Sequence, residues 1–206
     1  MLFFLFIIAV TVFVAVYISI NQSHKVNETF LRISDSQNAL FHAEKLLSAT
    51  EKNEIVVREY ILTGNENYLT PVAQIYNDIQ NDYKQLNVYT RGNLLQQKKV
   101  DSLPFYISGG QAWTDSIITV RRNEGQEKAM QLISTDTIQH FVTNARNLIE
   151  NIKVEGQKLQ KAREQANVDA VAGFKKIWYL VIGLLIALII MITQKLKVDV
   201  NIGRKI

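Results

Sequence analysis

The chain has 206 residues, room for one domain of ordinary size or one small domain with membrane segments, so a second catalytic domain is excluded. Two prolines and nine glycines leave long stretches without a helix breaker, which argues against a many-turned β-sandwich or barrel, and the absence of cysteine excludes disulfides, thiolate metal sites and cysteine nucleophiles. The net charge is +4, but Lys195, Lys197, Arg204 and Lys205 against Asp199 supply +3 of it, so the body is nearly neutral and offers no electrostatic footprint for nucleic acid.

The apolar residues are concentrated at the two ends. Met1 to Ile20 holds 18 apolar residues of 20, interrupted by Thr11 and Ser19, and at 1.5 Å per residue it is long enough to cross a bilayer core. A cleaved signal peptide is the rival reading, but the run is too long and Ala15-Val16-Tyr17 is not a small-x-small cleavage site. Ile177 to Thr193 has 15 apolar residues of 17, with Lys175-Lys176 before it and Lys195 and Lys197 after it. The rival there is a buried soluble helix, yet Leu184 to Ile192 has no polar face to present to water, and the flanking lysines can snorkel to headgroups. Transmembrane helices are expected at 1–20 and 177–194, with residues 21–176 on one side and the tail 195–206 on the other.

Between them the spacing predicts helices in sequence. Val26, Phe30, Ile33, Leu40, Leu47, Val57 and Ile61 form one helical stripe that runs to Gly64, a suitable C-terminal cap, and Asn65 can cap the next helix. Tyr68, Val72, Ile75, Ile79, Tyr83 and Leu86 mark a second helix that admits Pro71 only in its first turn and ends near Arg91-Gly92. A third takes Val100, Leu103, Ile107, Trp113, Ile117 and Val120, with a kink expected at Pro104 and Gly109-Gly110. A short helix around Lys128 to Ile133 breaks at Ser134-Thr135-Asp136. The last helix carries Phe141, Ala145, Leu148, Ile152, Leu159, Ala162 and Ala166 into the second apolar segment.

The expected fold class is all-α: a membrane-anchored, up-down-up-down four-helix bundle whose long first and last helices continue into the two transmembrane helices. The outer helices have about 40 extramembrane residues each, roughly 60 Å, against roughly 39 Å for the second, which leaves a two-helix stalk near 21–40 and 158–176. Ala162, Ala166, Ala170 and Gly173 recur at helical spacing in that stalk, and a homodimer is the economical way to bury it.

The residues offer no catalytic centre, metal site or cofactor motif. His24, His42 and His140 are scattered and are expected to be exposed; no glycine-rich phosphate loop, HExxH or GxSxG occurs. Asn27-Glu28-Thr29 is a weak glycosylation sequon. Glu44, Glu51, Glu54, Arg58 and Glu155 lie at or beside the apolar stripe and form either a buried polar cluster or an exposed bundle edge; Arg58 is expected to pair with Glu54 or Glu155. Tyr60 and Tyr68 read as packing tyrosines with their hydroxyls at the surface.

Arg58, Tyr60, Leu62, Thr63 and Gly64, followed by Tyr68-Leu69, make up an R-x-Y-x-L-T-G…Y-L pattern that resembles the CHASE3 extracellular sensory domain. The likeness continues through Gln96-Gln97 to Leu103, Arg121-Arg122 with Gly125 and Ala129, and Glu155, Leu159 and Arg163, and it covers almost all of 21–176 with both flanking apolar helices. Glu59 stands where a small residue is common, and residues 134–137 lack a glycine often found there. The resemblance implies the stimulus-sensing input of a bacterial receptor in the cytoplasmic (inner) membrane, multi-pass, with 21–176 extracytoplasmic. It also implies a cytoplasmic output domain or partner kinase, absent from residues 1–206, and carries no known ligand. The chain is expected to be a fragment of a longer receptor, or a short protein whose output a partner supplies. A membrane-anchored helical scaffold without sensing is the alternative.

Overall fold

A computed structural model of the chain describes residues 2–133 and 136–203, and every described element is helical. In chain order these are α1 (Leu2–Thr63), a 3₁₀ helix (Glu66–Leu69), α2 (Val72–Thr90), α3 (Leu94–Val100), α4 (Leu103–Glu124), α5 (Gln126–Ile133) and α6 (Asp136–Gly203). They divide into two compact units. One is Ile33–Lys161; the other joins Met1–Arg32 to Ala162–Ile206.

The Ile33–Lys161 unit is built on a core to which four stretches of chain contribute. Ala39, Ala43 and Leu46 of α1, Ile75 and Leu86 of α2, Val100 and Leu103 at the junction of α3 and α4, and Ile149 and Ile152 of α6 pack together. A second cluster joins Val57, Tyr60 and Ile61 to Ile117, Ile118 and Ala129. Ala39 is buried, so the stalk expected to reach residue 40 has already given way to core there.

The single third helix is not what forms. Pro104 has no N–H to give the carbonyl of Val100, and its ring would clash with that carbonyl, so α3 stops at Val100 and α4 restarts at Leu103 with Pro104 in its first turn. From there α4 runs as one helix through Gly109-Gly110, so of the two places where a kink was expected the chain is interrupted at Pro104. Gly109 admits a neighbour instead: a Cβ there would lie 2.3 Å from the Phe141 ring of α6. The α2–α3 corner is polar. Asn93 caps α3 by accepting from the N–H groups of Leu95 and Gln96, and the Gln97 amide donates to Asn87 (2.9 Å) and Asp101 (2.8 Å). Buried Gln96 donates to the Ile152 carbonyl.

In the other unit, Gln22 Nε2 donates to the Ala170 carbonyl (3.1 Å) and Arg163 Nη1 to the Arg32 carbonyl (2.5 Å), tying α1 to α6. Phe30, expected on the apolar stripe, is 63% exposed. Within His140–Lys195 of α6 lies an 18-residue window of mean hydropathy 2.4, none of it buried; among the described residues, this is the one helix long and apolar enough to cross a membrane. At the other apolar end, the described side chains of Phe6, Phe13 and Tyr17 are exposed. The expected break at Ser134-Thr135 and the tail residues Arg204 to Ile206 lie outside the described residues.

Candidate functional site

The motif around Gly64 builds a corner. Gly64 takes φ +71°, a backbone state that a side chain disfavours, and its N–H donates to the Tyr60 carbonyl (2.7 Å) to close α1. A Cβ at Gly64 would also stand 2.6 Å from the Arg121 guanidinium, whose Nε donates to the Ile61 carbonyl (2.8 Å). Arg121 thus serves a carbonyl that the end of α1 leaves without a helical partner. Thr63 Oγ1 accepts from the Asn65 N–H, and Asn65 Oδ1 accepts from the Asn67 N–H, so two short side chains cap the turn.

Tyr60 is buried and its hydroxyl donates to Glu66 Oε1 (3.1 Å), which Arg122 grips through Nε (2.9 Å) and through Nη2 on the other oxygen (2.5 Å). The Arg122 hydrogen bonds hold the Glu66 carboxyl below its usual range, while burial, then the Glu66 contact, pushes the Tyr60 hydroxyl up. The Tyr60 hydroxyl therefore meets Glu66, not the open surface expected of it. Tyr68 and Leu62 are exposed, and Leu69 packs on the second core cluster.

Within the same unit a cavity of about 390 Å³ opens between α1, α2, α4 and α6, a size in the range of small-molecule sites. Ile79, Ile107 and Val142 supply apolar wall, Tyr76, Tyr106 and Trp113 aromatic wall, and Asn53, Glu54, Arg58, Thr114 and Arg146 the polar part. Asn53 Nδ2 donates to Thr114 Oγ1 (3.2 Å), and Arg146 Nη2 donates to Glu54 Oε1 (2.8 Å). Three polar atoms of this lining, Asn53 Oδ1, Trp113 Nε1 and Arg146 Nε, are buried with no hydrogen-bond partner among the described residues. A buried neutral group left so costs about 1–3 kcal/mol, which a water or a ligand that pairs Asn53 Oδ1 or Trp113 Nε1 would recover. Burial pushes the Tyr76 hydroxyl up to about 12, so it is neutral at physiological pH.

Residues 31–166 match the model of the CHASE3 domain, two thirds of the chain. The chain belongs to the CHASE3 family. CHASE3 is an extracellular sensory domain family, and this supports a sensing role for the unit that holds the cavity. Comparison with curated proteins and with solved structures finds no match.

The CHASE3 pattern residues fall into separate groups. Tyr60 and Gly64 meet Arg122 and Arg121 at the corner that Thr63 caps, Leu69 packs on the second core cluster, Arg58 lines the cavity, and Arg163 binds the Arg32 carbonyl in the other unit. Leu159 is half-buried. The pairing expected for Arg58 is corrected: Glu54 pairs with Arg146, and Glu155 with Lys99 Nζ (2.5 Å), while Arg58 has no ion pair among the described residues. Glu44 and Glu51 reach Lys153 (3.4 Å) and Arg146 (3.8 Å) from exposed positions, so these acids form a paired edge and not a buried cluster. His42 is also corrected. It is half-buried, its Nδ1 lies 2.8 Å from Asp82 Oδ1, and it stacks on Tyr89, because α2 brings an acid and an aromatic across from it.

Sequence reasoning missed Asn53, Trp113 and Arg146 as a set. The signal was faint: Arg146 sits three residues before core Ile149 and one after core Ala145, a polar residue at the margin of a buried stripe.

Proposed function

We propose that the chain is the extracytoplasmic stimulus-sensing module of a bacterial transmembrane receptor, anchored in the cytoplasmic membrane by Met1–Ile20 and Ile177–Thr193. In this reading residues 33–161 are an up-down-up-down four-helix bundle, and the shared core of α1, α2, α3–α4 and α6 supports it. The module works as a parallel homodimer and passes a change in helix packing to an output domain, or a partner kinase, on the cytoplasmic side. It catalyses no reaction itself and needs no metal or cofactor. A stimulus acts by binding one packing better than the other, since only differential affinity shifts an equilibrium.

The observation that carries this reading is α6. One helix, Asp136–Gly203, supplies Val142, Ala145 and Arg146 to the cavity and contains the apolar window. The test joins the chain in helical register to a kinase core and inserts one to four alanines after Lys161. Each insertion turns the downstream helix by about 100°, so kinase output should rise and fall with a period near 3.6 residues. A flat response would fit the rival reading, a membrane-anchored scaffold, for which the adjacent exposed Leu94 and Leu95 speak.

A further inference from the structure

We propose that the cavity lined by Asn53, Arg58, Trp113 and Arg146 is the stimulus site and takes a small aromatic carboxylic acid that also carries a hydrogen-bond donor. This rests on the sensing reading and adds the ligand class to it. The argument begins with charge. Glu54 lies 2.8 Å from Arg146 and faces its charge, while Arg58 has no acidic partner among the described residues, so the lining has a cation to spare. One donor, Trp113 Nε1, is buried there without an acceptor, whereas Arg146 already faces Glu54 at 2.8 Å and Glu51 at 3.8 Å, which leaves Arg58 as the cation for a ligand. A carboxylate is an acceptor with two oxygens and a matching charge, and a guanidinium is its preferred receptor.

The third unpartnered atom, Asn53 Oδ1, is an acceptor; its own amide nitrogen donates to Thr114, which leaves the oxygen as the end of the amide still to be paired. A ligand hydroxyl or amine must therefore donate to it. The remaining wall, Tyr76, Tyr106, Trp113 and Ile107, offers flat aromatic and apolar surface to a ring. An inorganic anion would leave that wall and Asn53 unused, and a plain hydrocarbon would leave all three polar atoms unpaired.

The test uses the full chain in lipid nanodiscs with Trp178→Phe, which leaves Trp113 as the one tryptophan. Its emission is followed on titration with 4-hydroxyphenylacetate, with 4-hydroxyphenylacetamide (same ring, no charge), with phenylacetate (no donor) and with acetate (no ring). A saturable change is expected for 4-hydroxyphenylacetate, about 10-fold weaker binding for the amide, weaker binding for phenylacetate, and no response to acetate. Arg58→Gln should weaken the acid about 10-fold. Gly110→Leu grows a side chain from a position with open space around its Cβ, 4.0 Å from the nearest atom, and should abolish the response while the thermal transition is kept.

Equal affinity for acid and amide, a full response in Gly110→Leu, or no response to the acid would overturn the proposal. In the same nanodiscs, disulfide cross-linking through Ala166→Cys reads α6 separately. Acid binding that leaves the cross-linking yield unchanged supports the site and counts against the sensing reading.

Discussion

Tyr60, Glu66 and Arg122 show how one acidic side chain can hold a corner of this fold. The Tyr60 ring is 2% exposed, so most of its worth is burial: Tyr60→Ala should cost about 3–5 kcal/mol, as aromatic truncations in cores do, and Tyr60→Phe only about 0.5–1.5 kcal/mol for the hydrogen bond to Glu66. Glu66 adds a pH dependence whose sign follows from its partners. Arg122, then Tyr60, donates to the carboxylate and holds its pKa below the ordinary value of 4.5, so the folded chain takes up this proton less readily than the unfolded one. The stabilisation is complete above pH 4.5 and is lost as pH falls through the lowered folded value. Glu66→Gln should accordingly lower Tm at pH 7, and the gap to the parent protein should narrow below pH 4.5 as the parent's own carboxyl is neutralised. Melting curves from pH 7 to pH 3 decide it, since a constant gap would mean that the carboxylate charge contributes nothing.

Adjacent glycines in α4 separate helix propensity from packing. Replacing either by alanine should gain up to about 1 kcal/mol from the backbone. At Gly109 the new methyl would meet the base of the Phe141 ring, whose Cγ lies 2.9 Å away, and overpacking of that kind costs about 1–3 kcal/mol. Gly110 has only Val142, at 4.0 Å. Denaturant unfolding should therefore show Gly110→Ala neutral or stabilised and Gly109→Ala destabilised; equal effects would place the α4–α6 contact elsewhere. The pair also marks what a sequence can tell. Helix spacing and the caps at Gly64 and Asn65 were legible because each depends on neighbours within four residues, and the end of α3 at Val100 could have been read from Pro104 by the same local rule. A bend was expected at Pro104 and at the glycines alike; the first follows from a local rule, whereas Gly109 is there for a ring more than thirty residues away in the chain. His42 and Arg146 were illegible for the same reason: their partners, Asp82 and Glu54, come from other helices, and no periodicity encodes which helix faces which.

For the whole molecule, the decisive surface is the part of α6 beyond the core. Ala162, Ala166, Ala170 and Gly173 were expected to line one face of α6, and α1 meets one edge of that face. At about 100° per residue, Ala162, Gly173 and Ala166 lie within about 40° of one another, whereas Ala170 is turned towards Arg163, and these two meet α1 through Gln22 and the Arg32 carbonyl. Ala162 and Ala166 are exposed, and a Cβ at Gly173 would meet nothing within 4 Å. The face free for a second copy of the chain is therefore the narrower one, and small side chains on it would let two backbones approach closely. Single cysteines in this cysteine-free chain test it by oxidative cross-linking in native membranes. A parallel homodimer predicts strong inter-chain bridges at Ala162→Cys, Ala166→Cys and Gly173→Cys, weaker ones at Ala170→Cys because α1 occupies that side, and little at Lys161→Cys or Gln165→Cys. Maximal bridging at Ala170 would mean that the partner displaces the Gln22 contact, and a flat profile from 158 to 174 would remove the dimer while leaving the core of residues 33–161 untouched. If the same profile shifts when a stimulus is present, the direction of the shift gives the sense in which α6 turns, because neighbouring positions differ by a known angle around one helix.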